Sequence, residues 1–115
     1  MTSLIEINDV DRCFYESRLR DWLPDEIVDI HTHVWRDSDY RPGVPSCGQA
    51  RCVTWPARVA KDNPIEDLLE TYRLMLPGKR VTPLIFPTIP QPDNLAQVND
   101  YVADCSRRTG APALI

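Results

Sequence analysis

The fold is decided by the sequence IVDIHTH, residues 27–33. Residues 27–31 are mainly apolar and β-branched, which is typical of a β-strand. Pro24 comes shortly before them, and because the residue preceding a proline is disfavoured in the helical conformation, a leading helix should end at this point. We therefore predict a helix within residues 1–24, for which Asn8 is the candidate cap, followed by a strand.

Further helices and strands are predicted downstream of this strand. An apolar stripe at three-to-four spacing predicts a second helix, for which Asn63 is the expected cap and Pro77 the stop. Residues 81–86, VTPLIF, predict a second strand, and Asp93 should cap a third helix. Residues 113–115 predict the opening of a third strand. Alternating strands and helices favour an α/β fold with a parallel sheet.

The connection between the first strand and the second helix, residues 34–63, has no periodic pattern. Connections of this length are uncommon in compact domains and are usually functional or disordered, and its aromatic residues argue against disorder. Trp35 and Trp55 are therefore candidates for lining a substrate pocket, since loops after strands carry function. They are equally consistent with a cover over the open end of an apolar core.

Composition limits the function further. The chain has 115 residues with a net charge of −4 and no run of Lys or Arg, so we expect no nucleic-acid partner. It has no stretch of about 18 apolar residues and no secretion signal, so we expect no membrane association and a cytoplasmic location. Its four cysteines are then expected to be reduced thiols. They are Cys13, Cys47, Cys52 and Cys105.

The chemistry is carried by the two histidines of the chain, His31 and His33. On a regular strand, residues two apart project from the same face with their bases about 6.5 Å apart, so both imidazoles can reach one metal ion. Asp29 is in phase with them and is expected to orient an imidazole or to help hold the metal. Zinc requires at least three protein ligands, so other residue types must supply the rest.

The stretch IVDIHTHVW, residues 27–35, resembles the first strand of the amidohydrolase superfamily, and most closely its amidohydrolase-related (amidohydrolase 2) branch. Four other parts of the chain are similar to the amino-terminal third of that branch: the WLP sequence of residues 22–24, residues 76–79, residues 81–87 and the NDYV sequence of residues 99–102. The resemblance implies a fold in which residues 1–24 form a leading helix. Residues 25–115 would then form about two and a half βα units of a (β/α)8 TIM-type barrel.

The same resemblance implies a metal-dependent hydrolase. His31 and His33 would bind a divalent metal, which by analogy with the family is expected to be zinc, and metal-activated water would hydrolyse a C–N or C–O bond of a small molecule. Decarboxylation is the alternative reaction of the branch. A complete barrel takes about 250 residues, so the chain is expected to be a fragment whose catalytic base lies in a missing carboxyl-terminal part. Its open strand edges would favour self-association or a complementing chain.

A different class of protein remains open on the same histidines. Cys47 and Cys52 are four residues apart in the long connection, and with His31 and His33 they would make a Cys2His2 zinc centre that stabilises a small interaction module. The spacing is unusual for a zinc finger. Two unrelated loop thiols are the third interpretation of the pair.

Overall fold

Two parallel strands and three helices make up the fold of the described residues. The structure is a computed structural model, and it describes residues 5–44 and 60–115. The elements follow in chain order: α1, Asp9–Phe14, which runs on as a π-helical turn, Tyr15–Leu19; β1, Glu26–Val34; a short 3-10 turn, Asp37–Asp39; α2, Ile65–Met75; β2, Arg80–Pro87; and α3, Leu95–Thr109.

The sheet consists of β1 paired in parallel with β2. On the other edge of β2, Ile85 makes a single parallel bridge to Ala113. The Ile85 N–H donates to the carbonyl of Pro112 at 2.9 Å, and the Leu114 N–H donates to the carbonyl of Ile85 at 3.1 Å. The predicted third strand is therefore present only as this bridge.

The prediction of a TIM-type barrel portion is wrong. The described residues form a small α/β domain with a two-stranded parallel sheet, and no part of a barrel is present among them. A barrel closes through eight tilted, staggered strands, and two strands with one bridge fix neither the tilt nor the stagger. The barrel was implied by the resemblance of short stretches to a known family. Alternation of strands and helices, which is common to many parallel α/β folds, predicted only the parallel pairing of the strands.

A β-bulge divides β1 into two halves. Asp29 pairs with Pro83, whereas Thr32 pairs with Ile85, so β1 has one more residue than β2 over this interval. An extra residue reverses the alternation of side chains between the two faces of a strand. Before the bulge, Ile27 and Asp29 are half-buried on the helix side, whereas beyond it this side is occupied by residues 32 and 34.

The core lies between one face of the sheet and helices α2 and α3. Each of these elements contributes fully buried side chains, and Tyr72 of α2 packs against the cluster from its edge. The cluster is formed by Val34, Ile65, Leu68, Ile85, Tyr101, Val102, Cys105 and Ala111. The opposite face of β1 is uncovered in the described part of the chain, where Val28 and Ile30 are 63% and 73% exposed.

The helix starts agree only in part with the predicted caps. Asn8 caps α1 in a reciprocal capping box: its side chain accepts from the Asp11 N–H at 2.9 Å, and the Asp11 carboxylate accepts from the Asn8 N–H at 3.1 Å. Asn63 does not cap α2, which begins after Pro64 without a side-chain cap. The cap position of α3 is held by Asn94 and not by Asp93. None of the helices in residues 5–44 and 60–115 is long and apolar enough to cross a membrane.

Burial predicts how two isoleucines of the sheet differ in their contribution to stability. Ile85 is completely buried and Ile30 is 73% exposed. Ile85→Val should lower the free energy of unfolding by about 0.5 to 1.5 kcal/mol, because it removes a buried methyl group and leaves a cavity. Ile30→Val should change it by less than about 0.5 kcal/mol. Urea denaturation followed by circular dichroism measures both, and equal losses would contradict this description of the core.

Candidate metal centre

The histidine pair lies at the carboxyl end of β1, which ends at Val34. Ligands of open α/β sheets bind at this end of the strands. His31 is exposed and His33 is half-buried, and both rings lie beside Phe86 of β2, with centroid distances of 5.2 and 5.7 Å. Because Phe86 follows the core residue Ile85, the pair lies on the face of the sheet that points away from the helices.

The two imidazoles converge through the same ring atom. The Nε2 atoms of His31 and His33 are 3.1 Å apart, and their ring centroids are 5.1 Å apart. Two nitrogens that each lie about 2.1 Å from one zinc ion are separated by about 3.0 to 3.4 Å when the angle at the metal is between octahedral and tetrahedral. The donor atoms therefore fit a shared divalent metal. Without one, a proton on the Nε2 of His31 allows a direct hydrogen bond to the Nε2 of His33.

The orientation of His33 is fixed from two sides. Its Nδ1 lies 2.9 Å from the carbonyl oxygen of Pro87. A carbonyl only accepts, so Nδ1 carries the hydrogen and the neutral ring presents a free electron pair at Nε2. The backbone carbonyl of His33 accepts from the side-chain amide of Asn63 at 2.8 Å. Metal-binding histidines are usually held by a bond of the first kind, in which the ring N–H that does not face the metal donates to a backbone carbonyl.

Asn63, which its position before Pro64 predicts to be the cap of α2, contacts His33 instead. Its backbone forms an antiparallel bridge with Trp35, with N–O distances of 3.0 and 3.1 Å, and its side chain reaches His33 instead of capping α2. The N–H of the Trp35 indole donates to the Lys61 carbonyl at 2.9 Å. Trp35 therefore joins the end of β1 to the segment before α2. Trp55, the other predicted pocket residue, lies outside the described residues.

In the described structure, the Asp29 carboxylate makes its hydrogen bonds to groups other than the imidazole rings. One carboxylate oxygen accepts from the backbone N–H of His31 at 3.1 Å, and the other accepts from the Tyr72 hydroxyl at 2.6 Å. The expected in-phase position was based on strict alternation, which the bulge interrupts. Burial and then the bond to Asp29 raise the pKa of Tyr72, although a bond with Thr32 opposes the rise. The hydroxyl therefore remains protonated and donates to the carboxylate.

The described residues supply two ligands to the candidate centre. In the part of the chain that the structure describes, no group of three or more His, Cys, Asp or Glu side chains is arranged so that it could hold a metal ion. Cys47 and Cys52 lie outside the described residues. The predicted Cys2His2 arrangement therefore stays a prediction, as does any third ligand.

A polar network, which the sequence did not reveal, orders the loop beyond the histidines. Asp39 is 4% exposed, and its carboxylate accepts from Arg36 at 2.8 and 3.0 Å and from Gln97 at 2.9 Å. The bond to Asp39 raises the pKa of Arg36, whose guanidinium lies 4.3 Å from the ring centroid of Tyr101. In the sequence, the spacing Arg36-x-x-Asp39 is compatible with an ion pair, but the burial of Asp39 depends on contacts with α3.

A second group of bonds joins the loops that follow β1 and β2. The side chain of Gln91 donates to the carbonyls of Arg41 and Val44, both at 2.8 Å, and accepts from the Arg41 N–H at 2.9 Å. The side chain of Asn94 donates to the carbonyl of Asp39 at 2.7 Å. The two loops are therefore held together at the end of the sheet where the histidines lie.

Comparison with known proteins adds no neighbour: no family model, no curated protein and no solved structure matches this chain. The fold and the site define a small α/β domain with a candidate centre for a divalent metal. The likeness of residues 27–35 to the amidohydrolases therefore rests on the sequence motif alone.

The bond between Asn63 and His33 predicts a measurable loss of stability. Asn63→Ala should lower the free energy of unfolding by about 1 kcal/mol, because the His33 carbonyl loses its side-chain donor. Asn99→Ala in α3 is the matched control; no side-chain hydrogen bond is found for Asn99 in the described structure, so we expect no loss. Urea denaturation compares the two variants. A loss for Asn99→Ala as large as that for Asn63→Ala would contradict the assigned role.

Proposed function

We propose that the chain binds a divalent metal ion, with zinc as the expected metal, through the Nε2 atoms of His31 and His33. We further propose that it is part of a metal-dependent hydrolase that cleaves a C–N or C–O bond of a small molecule. The observation that carries the metal site is the 3.1 Å separation of the two Nε2 atoms. The hydrolase class is supported by the resemblance of residues 27–35 to the amidohydrolases, and the reaction is proposed on that basis alone.

The protein's own contribution is to hold two neutral donors in place. His33 directs its Nε2 electron pair outward because its Nδ1–H is bound to Pro87. His31 is held through its backbone N–H by Asp29. When bound, a zinc ion lowers the pKa of a coordinated water and polarises a carbonyl, which is the chemistry that hydrolysis needs. The catalytic base is not assigned to any described residue.

The surroundings of the pair support a small-molecule site open to other chain segments. The loop of residues 35–44 is held beside the carboxyl end of β1 and would form one wall. Val28 and Ile30 leave apolar surface exposed on the face that carries the histidines. We propose that this face is covered by self-association or by a complementing chain, since exposed apolar patches mark interaction sites.

A cytoplasmic location belongs to the same proposal. Cys13 and Cys105 are both free thiols. Cys13 is exposed and Cys105 is buried. Free thiols are the usual state of cysteines in a reducing compartment.

Zinc titration of the full chain tests the metal site. Calorimetry in metal-free buffer should detect weak binding that depends on both histidines, because two ligands are fewer than zinc sites normally use. His31→Ala and His33→Ala should each weaken it at least about tenfold, since even residues that only support a ligand cost about 10- to 100-fold. Cys13→Ser, which removes an exposed thiol on α1, is the control and should not change the affinity. Wild-type affinity in the double histidine variant would refute the proposal.

The alternative of a structural zinc module is separated by thiol labelling. The described residues supply two ligands, whereas structural zinc sites use four, and Cys47 and Cys52 would complete the set. Under our proposal, iodoacetamide labels both cysteines equally fast with and without zinc. Cys13 is an exposed internal standard, and Cys105 is a buried one whose thiol pKa is raised by burial. Selective protection of Cys47 and Cys52 by zinc, located by mass spectrometry, would favour the structural module instead.

A further inference from the structure

The two histidines are held by different parts of the fold. The ring of His33 is bound to Pro87, and its backbone is bound to Asn63. In the sheet, His33 also pairs in regular register with Phe86 of β2. His31 has none of these supports, because it falls inside the interval between Asp29 and Thr32 where the register shifts. Its position therefore depends on what fixes the bulge.

Asp29 fixes the bulge from within the strand. Its carboxylate accepts from the N–H of His31, two residues further along, at 3.1 Å. Asp side chains commonly stabilise local turns in this way. The bond sets the direction of the His31 backbone, and the backbone sets where the ring projects relative to His33.

Tyr72 fixes Asp29 from outside the strand. Its hydroxyl donates to the second carboxylate oxygen at 2.6 Å, across 43 residues of sequence. Tyr72 belongs to α2 and packs against the buried core cluster, so the core holds its side chain in place. A hydrogen bond to an ionised acceptor is stronger than one between neutral groups. Without this donor, the carboxylate would be free to turn towards solvent and release the His31 N–H.

We infer that Tyr72 is a positioning residue of the candidate metal centre, acting through Asp29 to hold His31 in reach of the metal. The inference rests on the metal-binding function proposed above. Under this inference, a residue of α2 on the helix side of the sheet sets the position of His31, whose ring lies on the opposite face. Tyr72 itself does not coordinate the metal. His33, which is held independently, should be unaffected by changes at Tyr72.

Two phenylalanine variants of the full chain test this role. Tyr72→Phe removes only the hydroxyl that binds Asp29. Tyr101→Phe is the matched control, because it removes a hydroxyl that accepts from the Ile65 N–H at 3.1 Å in the core and does not contact Asp29. We expect zinc affinity to fall about 10- to 100-fold in Tyr72→Phe, the range found for residues that support a metal ligand, and to be unchanged in Tyr101→Phe.

Hydrogen exchange of the metal-free chain gives a second measurement that does not depend on zinc. The His31 amide should exchange faster in Tyr72→Phe than in wild type, whereas in Tyr101→Phe its rate relative to other strand amides should not change. Asp29→Ala should weaken zinc binding as Tyr72→Phe does, and the double variant should be little worse than either single one, because both remove the same support.

The outcomes separate this inference from the proposed function. Zinc binding that needs both histidines but is equally tight in wild type, Tyr72→Phe and Tyr101→Phe would overturn the positioning role and leave the metal site standing. Equal weakening in both tyrosine variants would also overturn it, since the effect would then follow stability alone. A wild-type chain that binds no zinc would overturn both proposals.

Discussion

The extra residue that β1 carries between Asp29 and Thr32 determines how the rest of the site is arranged. On a regular strand, the aspartate and both histidines would share one face. The bulge instead turns Asp29 towards α2, where Tyr72 binds it, and leaves the imidazoles on the uncovered face beside Phe86. Bulges are often found next to active sites because they redirect side chains in this way. One inserted residue thus places the carboxylate of Asp29 on one face of the sheet and the imidazoles of His31 and His33 on the other.

This separation has a chemical consequence. A carboxylate beside the histidines would add negative charge and an oxygen donor to the centre. With Asp29 directed to the helix side, the described part of the candidate centre offers two imidazole nitrogens and no carboxylate. Charge compensation for a divalent cation bound there would have to come with the remaining ligands. Asp29 still contributes, but through the backbone of His31 and not through a ring nitrogen.

Local sequence patterns predicted what depends on neighbours in the chain and missed what depends on contacts across it. The strand at residues 27–31, its parallel partner and the Asn8 cap follow from short-range periodicity and capping. Asn63 is an example of a residue whose contact could not be predicted from its neighbours in the chain. Its position before Pro64 favours a cap, but the same amide group serves the carbonyl of His33, 30 residues away. No pattern around Asn63 distinguishes the two uses, and the barrel prediction failed because closure is likewise a property of distant strands.

The bulge was equally hidden from the sequence, because the period of two through Asp29, His31 and His33 fits a regular strand as well as a bulged one. What distinguishes the two is the energy of distant contacts. Tyr72 lies on α2 and packs against the core cluster, and its hydroxyl also gives the Asp29 carboxylate a partner on the helix side. A half-buried carboxylate needs such a partner, since burying an unpaired charge is costly. The strand can therefore bring Asp29 to the helix side at the bulge because α2 places a donor there. The position of the candidate metal ligands thus follows from the packing of a helix on the opposite face of the sheet.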